Sequence, residues 1–224
     1  GTIESLCAAK LPAIVSRFRE HHPQVKLQIT VGTPEELIRM MEHDQLDIIY
    51  ILDATRWSES WVKAMEVAEP VVFVASPAFW AQKYAECEKN GTVKWSTKTV
   101  GQEEISVRQI TLDQILQEPF FLTEKNANYR QALDQHLASC RCCLSPVLEI
   151  SDTAFIIQML ERNCGLSFLP LFAVQKQIWE GTLAAVEVDD VEISMYRQIF
   201  YHKNKFRTRE MEQFITFASE EENH

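Results

Sequence analysis

Four short stretches gather hydroxyls and amides where a strand pattern gives way to a helix pattern: Thr2 to Ser5, Gly32-Thr33, Thr123 to Asn128, and Ser151 to Thr153. A helix N-terminus carries unpaired N–H groups and the positive end of the helix dipole. Side-chain donors placed beside it therefore suit a small anion, such as a carboxylate or phosphate. The candidate contacts are Thr2, Ser5, Thr33, Thr123, Asn128, Ser151 and Thr153, with Arg130, one turn into a helix, as a countercharge. Each has a plainer reading. A hydroxyl or amide in such a place caps its own helix, and Arg130 is as readily a solvated arginine.

Other chemistry is harder to assemble. The chain has no Gly-x-Ser-x-Gly elbow, no His-Glu-x-x-His and no phosphate-binding Gly-x4-Gly-Lys loop, and Cys7 has no obvious histidine partner. His21 and His22 precede a proline turn and read as exposed, while capping accounts for Asp152 without a carboxylate pair to Glu149. Cys140-Arg141-Cys142-Cys143 has a spacing that suits a soft metal or a redox pair. A tetrahedral site, however, needs donors from a second cluster, and none lies nearby in the chain. The run reads as small residues in a loop before a strand, and Cys7 and Cys164, in apolar settings, read as core. No metal and no cofactor are expected.

The elements that must position these turns follow from periodicity. From Leu6, the residues Leu11, Ile14, Val15 and Phe18 recur at helical spacing and predict one helix from Leu6 to Arg19. Val25, Leu27, Ile29 and Val31 then alternate with polar residues, the period of a strand with one buried face. Gly32-Thr33-Pro34-Glu35-Glu36 holds a turn glycine, an N-cap, a proline at the first helical position and the acid of a capping box. With a strand at Leu46 to Leu52, and Gly1 to Ile3 as the end of another strand into which the chain start cuts, the unit is β-α-β-α-β with parallel strands.

Two short strands follow, Trp61 to Val67 and Pro70 to Ala75, joined by a turn and broken by Ser76-Pro77, where the first domain crossing is placed. Phe79 to Ser106 shows little apolar period, carries the turn signal Lys89-Asn90-Gly91, and reads as a surface excursion. Thr111 to Val188 alternates strand and helix patterns again, giving β-α-β-α-β-α-β. Met195 to Tyr201 is a strand, and Met211, Phe214, Ile215 and Ala218 mark a last helix.

At 224 residues and 46% hydrophobic the chain can bury a substantial core. Thirty-two acidic against 22 basic residues give a net charge of -10, so duplex DNA would be repelled over most of the surface. No apolar run approaches the roughly 20 residues of a membrane span, and no signal peptide is visible. Six cysteines do not form a disulfide framework, so a reducing cytoplasm is the simplest setting.

The order Leu11-Pro12, Phe18, His22-Pro23, Val25, Leu27, Ile29, Gly32-Thr33-Pro34-Glu35-Glu36-Leu37 and Leu46-Asp47-Ile48 resembles the start of the effector-binding domain of LysR-type transcriptional regulators. Glu69 to Val74 with Pro77, Gly165 to Pro170, and the closing strand and helix keep that family's order. The sequence departs from the pattern at Asn163, near which the family usually has glycine, and in a longer loop from Tyr84 to Ser106.

The resemblance implies an α/β fold of the type 2 periplasmic-binding-protein kind. It has two similar subdomains joined by two crossovers, residues 1–76 plus 194–224 and residues 77–193, with a ligand cleft between them. It implies a small, anionic effector whose contacts fall on the four turns, and a homodimer or tetramer formed through this domain. DNA would be met only by a helix-turn-helix domain absent from this chain, with no membrane role. An extracytoplasmic solute-binding protein of the same architecture is the main alternative, argued against by the six cysteines and the missing signal. An enzyme on this fold, such as a dehydratase or transferase, is another, argued against by the lack of convergent acid, base and nucleophile.

Overall fold

The computed structural model describes residues 1–89, 94–100, 103–188, 191 and 193–221, with side chains described outside 84–109. In chain order the elements are α1 (Glu4–Ala9), α2 (Leu11–His21), α3 (Pro34–Glu42), β1 (Ile49–Asp53), β2 (Trp61–Glu69), β3 (Val71–Ala75), α4 (Pro77–Lys89), β4 (Lys94–Val100), β5 (Glu103–Ile110), α5 (Leu112–Ile115) and β6 (Phe121–Leu122). They continue with α6 (Asn128–Ser139), β7 (Leu148–Glu149), α7 (Thr153–Glu161), β8 (Leu166–Pro170), α8 (Leu171–Trp179), β9 (Ala184–Val188), β10 (Met195–His202) and α9 (Arg209–Glu220). No helix among the described residues is long and apolar enough to cross a membrane.

Unit 1 comprises Gly1–Glu69 and Ser194–His224. Its sheet runs β1-β10-β2, both pairings antiparallel. Thr2 adds parallel bridges to Tyr50 on one side and to Val31 on the other. The core packs Leu37, Ile38 and Met41 of α3 against Ile49, Ile51 and Phe200, while Trp61 meets Phe200 edge-on. Phe18 of α2 packs edge-on against Phe214 of α9.

Two expectations for this unit are corrected. The single helix from Leu6 to Arg19 is two, divided at Lys10, because Pro12 has no N–H to return to the carbonyl of Ala8. Val25 to Val31 is extended but forms no ladder beyond the bridge at Val31. Thr2 N donates to Thr30 O at 2.9 Å and Gly32 N to Thr2 O at 3.1 Å, and side-chain alternation alone does not supply a pairing partner.

Unit 2 comprises Pro70–Ile193. Its main sheet runs β4-β5-β9-β3-β8, and β6 and β7 form a separate parallel pair. Phe73 of β3 is packed between Phe120 and Phe168. Placing the first crossing at Ser76 is corrected to Glu69/Pro70. The strand β3 hydrogen-bonds to β8 and β9 rather than turning back on β2, so Val71–Ala75 belongs to unit 2. The return lies at Ile193/Ser194, with Glu192 outside the described residues.

The surface excursion is corrected as well. It contains α4 and the antiparallel pair β4–β5, which satisfies its backbone without an apolar period. Asn90 and Gly91 of the turn signal lie outside the described residues.

Candidate functional site

In unit 1 the parallel bridges of Thr2 to Val31 and Tyr50 set three chain segments running the same way. Their C-terminal ends, at Ile3, Gly32 and Asp53, therefore share one edge, the place where open α/β sheets hold ligands. Thr2 is buried, and its hydroxyl donates to the carbonyl of Ile3 at 3.5 Å. Ile3, not a hydroxyl residue, stands at the N-cap of α1, with no side-chain cap, and Ser5 is buried in the first turn.

Thr33 is committed to its own helix. Its hydroxyl and its N–H both donate to Glu36 Oε2 at 3.0 Å, and Glu36 N donates back to Thr33 Oγ1 at 3.4 Å. The carboxylate of Glu36 thus occupies the place an external anion would take at α3.

Three residues of this edge escaped the sequence reading. Asp53, at the end of β1, is buried, and desolvation pushes its carboxyl up while the neighbouring Arg56 opposes that shift. Arg56 Nε pairs with Asp53, its NH2 donates to Glu35 Oε1 at 2.8 Å, and its backbone N–H donates to Gln198 Oε1 at 3.0 Å. Gln198, fully buried on β10, donates to the carbonyl of Ala54 at 3.0 Å. Asp53 is the first polar residue at the end of an apolar strand, a position legible in the sequence, whereas Arg56 lies beyond Ala54 and Thr55 in a polar loop. The link to Gln198 spans 142 positions and has no local signal.

In unit 2, β6 and β7 run parallel with Leu122 opposite Glu149, and Ile150 N donates to Leu122 O at 3.1 Å. Thr123 and Ser151 leave the pair at the same end. Thr123 is buried, and the chain turns through Glu124 to Ala127 (Ala127 N to Glu124 O, 3.1 Å) into α6. Ala127 gives α6 no side-chain cap, and Asn128, the first helical residue, is buried.

Arg130 is neither a free countercharge nor solvated. It is 2% exposed, its Nε lies 3.0 Å from both oxygens of Asp134, and its NH1 donates to Thr123 O at 3.2 Å. At α7 the cap is Asp152, whose Oδ1 accepts from Phe155 N at 2.9 Å. Ser151 is exposed, and Thr153 is buried at the start of the helix. The structure therefore brings Thr123, Asn128 and Arg130 together around one turn, with Ser151 at the end of the neighbouring strand.

The cysteine run closes α6. Arg141 takes the left-handed conformation (φ 58°), and Cys142 N donates to Leu137 O at 2.8 Å, the turn that usually takes glycine. Cys140 Sγ lies 3.9 Å from His136 Nε2, and Cys140 and Cys143 are exposed. Among the described residues no group of three or more His, Cys, Asp or Glu is arranged to hold a metal ion. Cys7 and Cys164 are half-buried rather than core.

The family model described as the LysR substrate binding domain matches residues 1–88 and 103–223. The chain belongs to that family. Among curated relatives, the uncharacterized HTH-type transcriptional regulator YeiE of Escherichia coli is 21% identical over 208 residues, covering 93% of this chain and 62% of that protein. The HTH-type transcriptional activator CmpR of Synechocystis is 20% identical over 195 residues, 87% of this chain and 56% of that protein. The chain thus spans about three-fifths of the length of these LysR-family relatives.

Two solved structures share the fold. The effector binding domain of QuiR in complex with shikimate has a TM-score of 0.66 at 12% identity, covering 97% of this chain and 92% of that one. The Synechocystis CcmR regulatory domain in complex with 2-PG has a TM-score of 0.68 at 14% identity, with the same coverage. The type 2 periplasmic-binding-protein-like α/β fold is the fold of these LysR effector-binding domains and of this chain.

Proposed function

We propose that this LysR-family chain senses a small-molecule effector on behalf of a transcriptional regulator whose DNA contacts lie in a separate domain. The observation that carries this reading is the family match across both units, in a chain whose strand ends present polar turns rather than a nucleophile with its base. Thr2 and Ser5 in unit 1, and Thr123, Asn128, Ser151 and Thr153 in unit 2, are the proposed contacts. Thr33 acts as a cap, and Arg130 holds the unit 2 turn in shape. No bond is made or broken: the effector favours one of two conformations of the regulator and so shifts its population.

The solved relatives hold shikimate and 2-PG, which supports a small metabolite bearing an acidic group as the effector here. The curated relatives are regulators, which favours this reading over a solute-binding protein. With a net charge of -10 the chain meets DNA through another domain, in the cytoplasm. Self-association runs through α1–α2 and the extended segment Val25 to Val31, whose Ile29 and Val31 are 47% and 51% exposed.

The test is a metabolite panel added to the full-length regulator on promoter DNA, with retention and footprint as readouts. One compound should change the footprint and raise the melting temperature of this chain alone. A footprint insensitive to every compound that this chain binds would sink the reading.

A further inference from the structure

A cavity of about 700 Å³ lies within unit 1, with residues 26–30 along one wall and residues 45–48 along another. Gly1 and Thr2 also line it, and they have the place of a central strand between those walls. Thr2 N donates to Thr30 O at 2.9 Å and Gly32 N to Thr2 O at 3.1 Å, which is one parallel ladder. Tyr50 N donates to Gly1 O at 2.8 Å and Gly1 N to Ile48 O at 2.8 Å, which is a second. At Thr2 the two walls are therefore two inter-strand spacings apart, roughly 9 to 10 Å. One strand fills that width.

The register of those bonds fixes what the cavity accepts. Thr2 stands opposite Val31 and Tyr50, so each position ahead of Gly1 falls opposite one residue further back on both walls. The residue next ahead of Gly1 faces Ile29 and Ile48, and the fourth faces Lys26 and Gln45, where the shorter wall ends. The room is for about four residues. Carried back, the ladders have the first of them accept from Thr30 N, the second from Ile48 N and the third from Gln28 N. The side chains around this path are apolar: Leu11, Val15, Phe18, Leu46, Met211 and Phe214. A strand covered in this way is apolar along its length, and proline is excluded because its N–H is needed by the ladder.

We propose that this cavity is the seat of a central apolar β-strand of about four residues, parallel to both walls and joined to the nitrogen of Gly1. A strand joined there keeps the bond to Ile48 O as an ordinary peptide N–H and continues both ladders without a break. A strand from a separate chain has to end against Gly1 and bring a terminal carboxylate into an apolar slot, which is costly. The LysR-family relatives have further backbone beyond the span they share with this chain. The seated strand closes the inner edge of Val25 to Val31 and leaves the outer edge for self-association. The proposal is independent of which turns hold the effector.

The experiment joins Ala-Val-Ile-Val ahead of Gly1 and compares that protein with three others. They are the parent chain, a chain with Asp-Pro-Asp-Pro joined at the same place, and the parent mixed with free Ala-Val-Ile-Val peptide in excess. The readout is amide hydrogen exchange at Gln28, Thr30 and Ile48, with the melting temperature beside it. The apolar extension should slow exchange at those three amides by about tenfold or more and raise the melting temperature. The Asp-Pro extension should do neither, and the free peptide should leave exchange as it is.

An apolar extension whose three amides exchange as in the parent overturns the proposal, even if the melting temperature rises. Equal protection by the Asp-Pro extension overturns it too. Protection by the free peptide makes the cavity a docking site for a separate chain, and the assignment to a strand joined at Gly1 then falls.

Discussion

Thr33 and Glu36 satisfy one another: the hydroxyl and N–H of Thr33 both reach Glu36 Oε2 at 3.0 Å, and Glu36 N returns to Thr33 Oγ1 at 3.4 Å. A hydroxyl so engaged is a poor donor to anything else, because binding a ligand would first break the cap. Thr33→Val should therefore lower stability by about 1 kcal/mol, the usual cost of an N-cap, and leave effector affinity within about twofold. Melting temperature and affinity measured on the same variant check this. A tenfold affinity loss without a melting change would return Thr33 to the contact set.

The same pair sets a pH dependence. Hydrogen bonds from the Thr33 backbone and then its side chain hold the Glu36 carboxyl below the usual glutamate range. The folded pKa lies under the unfolded one, so the stabilisation is present above the unfolded pKa and fades as pH falls through the folded one. The gap in melting temperature between the parent and Glu36→Gln should be open at neutral pH and close in acid. A gap of constant width across that range would mean that the carboxylate charge contributes nothing.

Ile29 and Val31 stand half-exposed on a segment whose outer edge is unladdered in this chain. A charge on such an edge blocks pairing without disturbing a core. Ile29→Lys should weaken the proposed dimer at least roughly tenfold, seen by light scattering at tens of micromolar, where standard interfaces persist. Its melting temperature, taken at a dilution where the parent is monomeric, should stay put. A variant as dimeric as the parent would place the interface elsewhere.

Changing Cys140, Cys142 and Cys143 together to serine should leave the effector response intact and shift stability by no more than about 0.5 kcal/mol, as for surface positions generally. Cys140 and Cys143 are exposed. The turn they occupy is held by backbone bonds such as Cys142 N to Leu137 O, which serine retains. A response that becomes insensitive to peroxide, or a loss of bound metal, in this variant alone would assign the thiols a role.

Gly165 passes so close to Pro119 that an added Cβ would lie 2.1 Å from the Pro119 carbonyl oxygen. That approach allows Leu166 N to donate to Pro119 O at 2.9 Å and joins β8 to the segment leading into β6, whose far end carries Thr123. Gly165→Ala should cost about 1 to 3 kcal/mol, the range for overpacking, read by denaturant unfolding. An unchanged midpoint would mean that the two segments separate freely.

The sequence by itself determined whatever its residues settle with near neighbours. Thr33 and Glu36 sit one helical turn apart, so their capping box is written in four residues, and the spacing of Met211, Ile215 and Ala218 announces the buried face of α9. Arg130 and Asp134 are likewise neighbours on one helix, although their spacing does not say that the arginine is 98% buried.

The tertiary structure decided where distant segments meet. Alternation from Val25 to Val31 marks extended chain, but whether an edge is paired depends on Thr2 arriving beside it. The crossing moved from Ser76 to Pro70 because β3 found β8 and β9, some 90 to 115 residues later. Arg56 gained its place from Gln198, and Arg130 part of its setting from the carbonyl of Thr123, on the turn before its helix. Capping and periodicity are local hydrogen bonding and local geometry. Pairing, burial and the satisfaction of a polar group depend on what the rest of the chain brings to that point, and no window of sequence contains it.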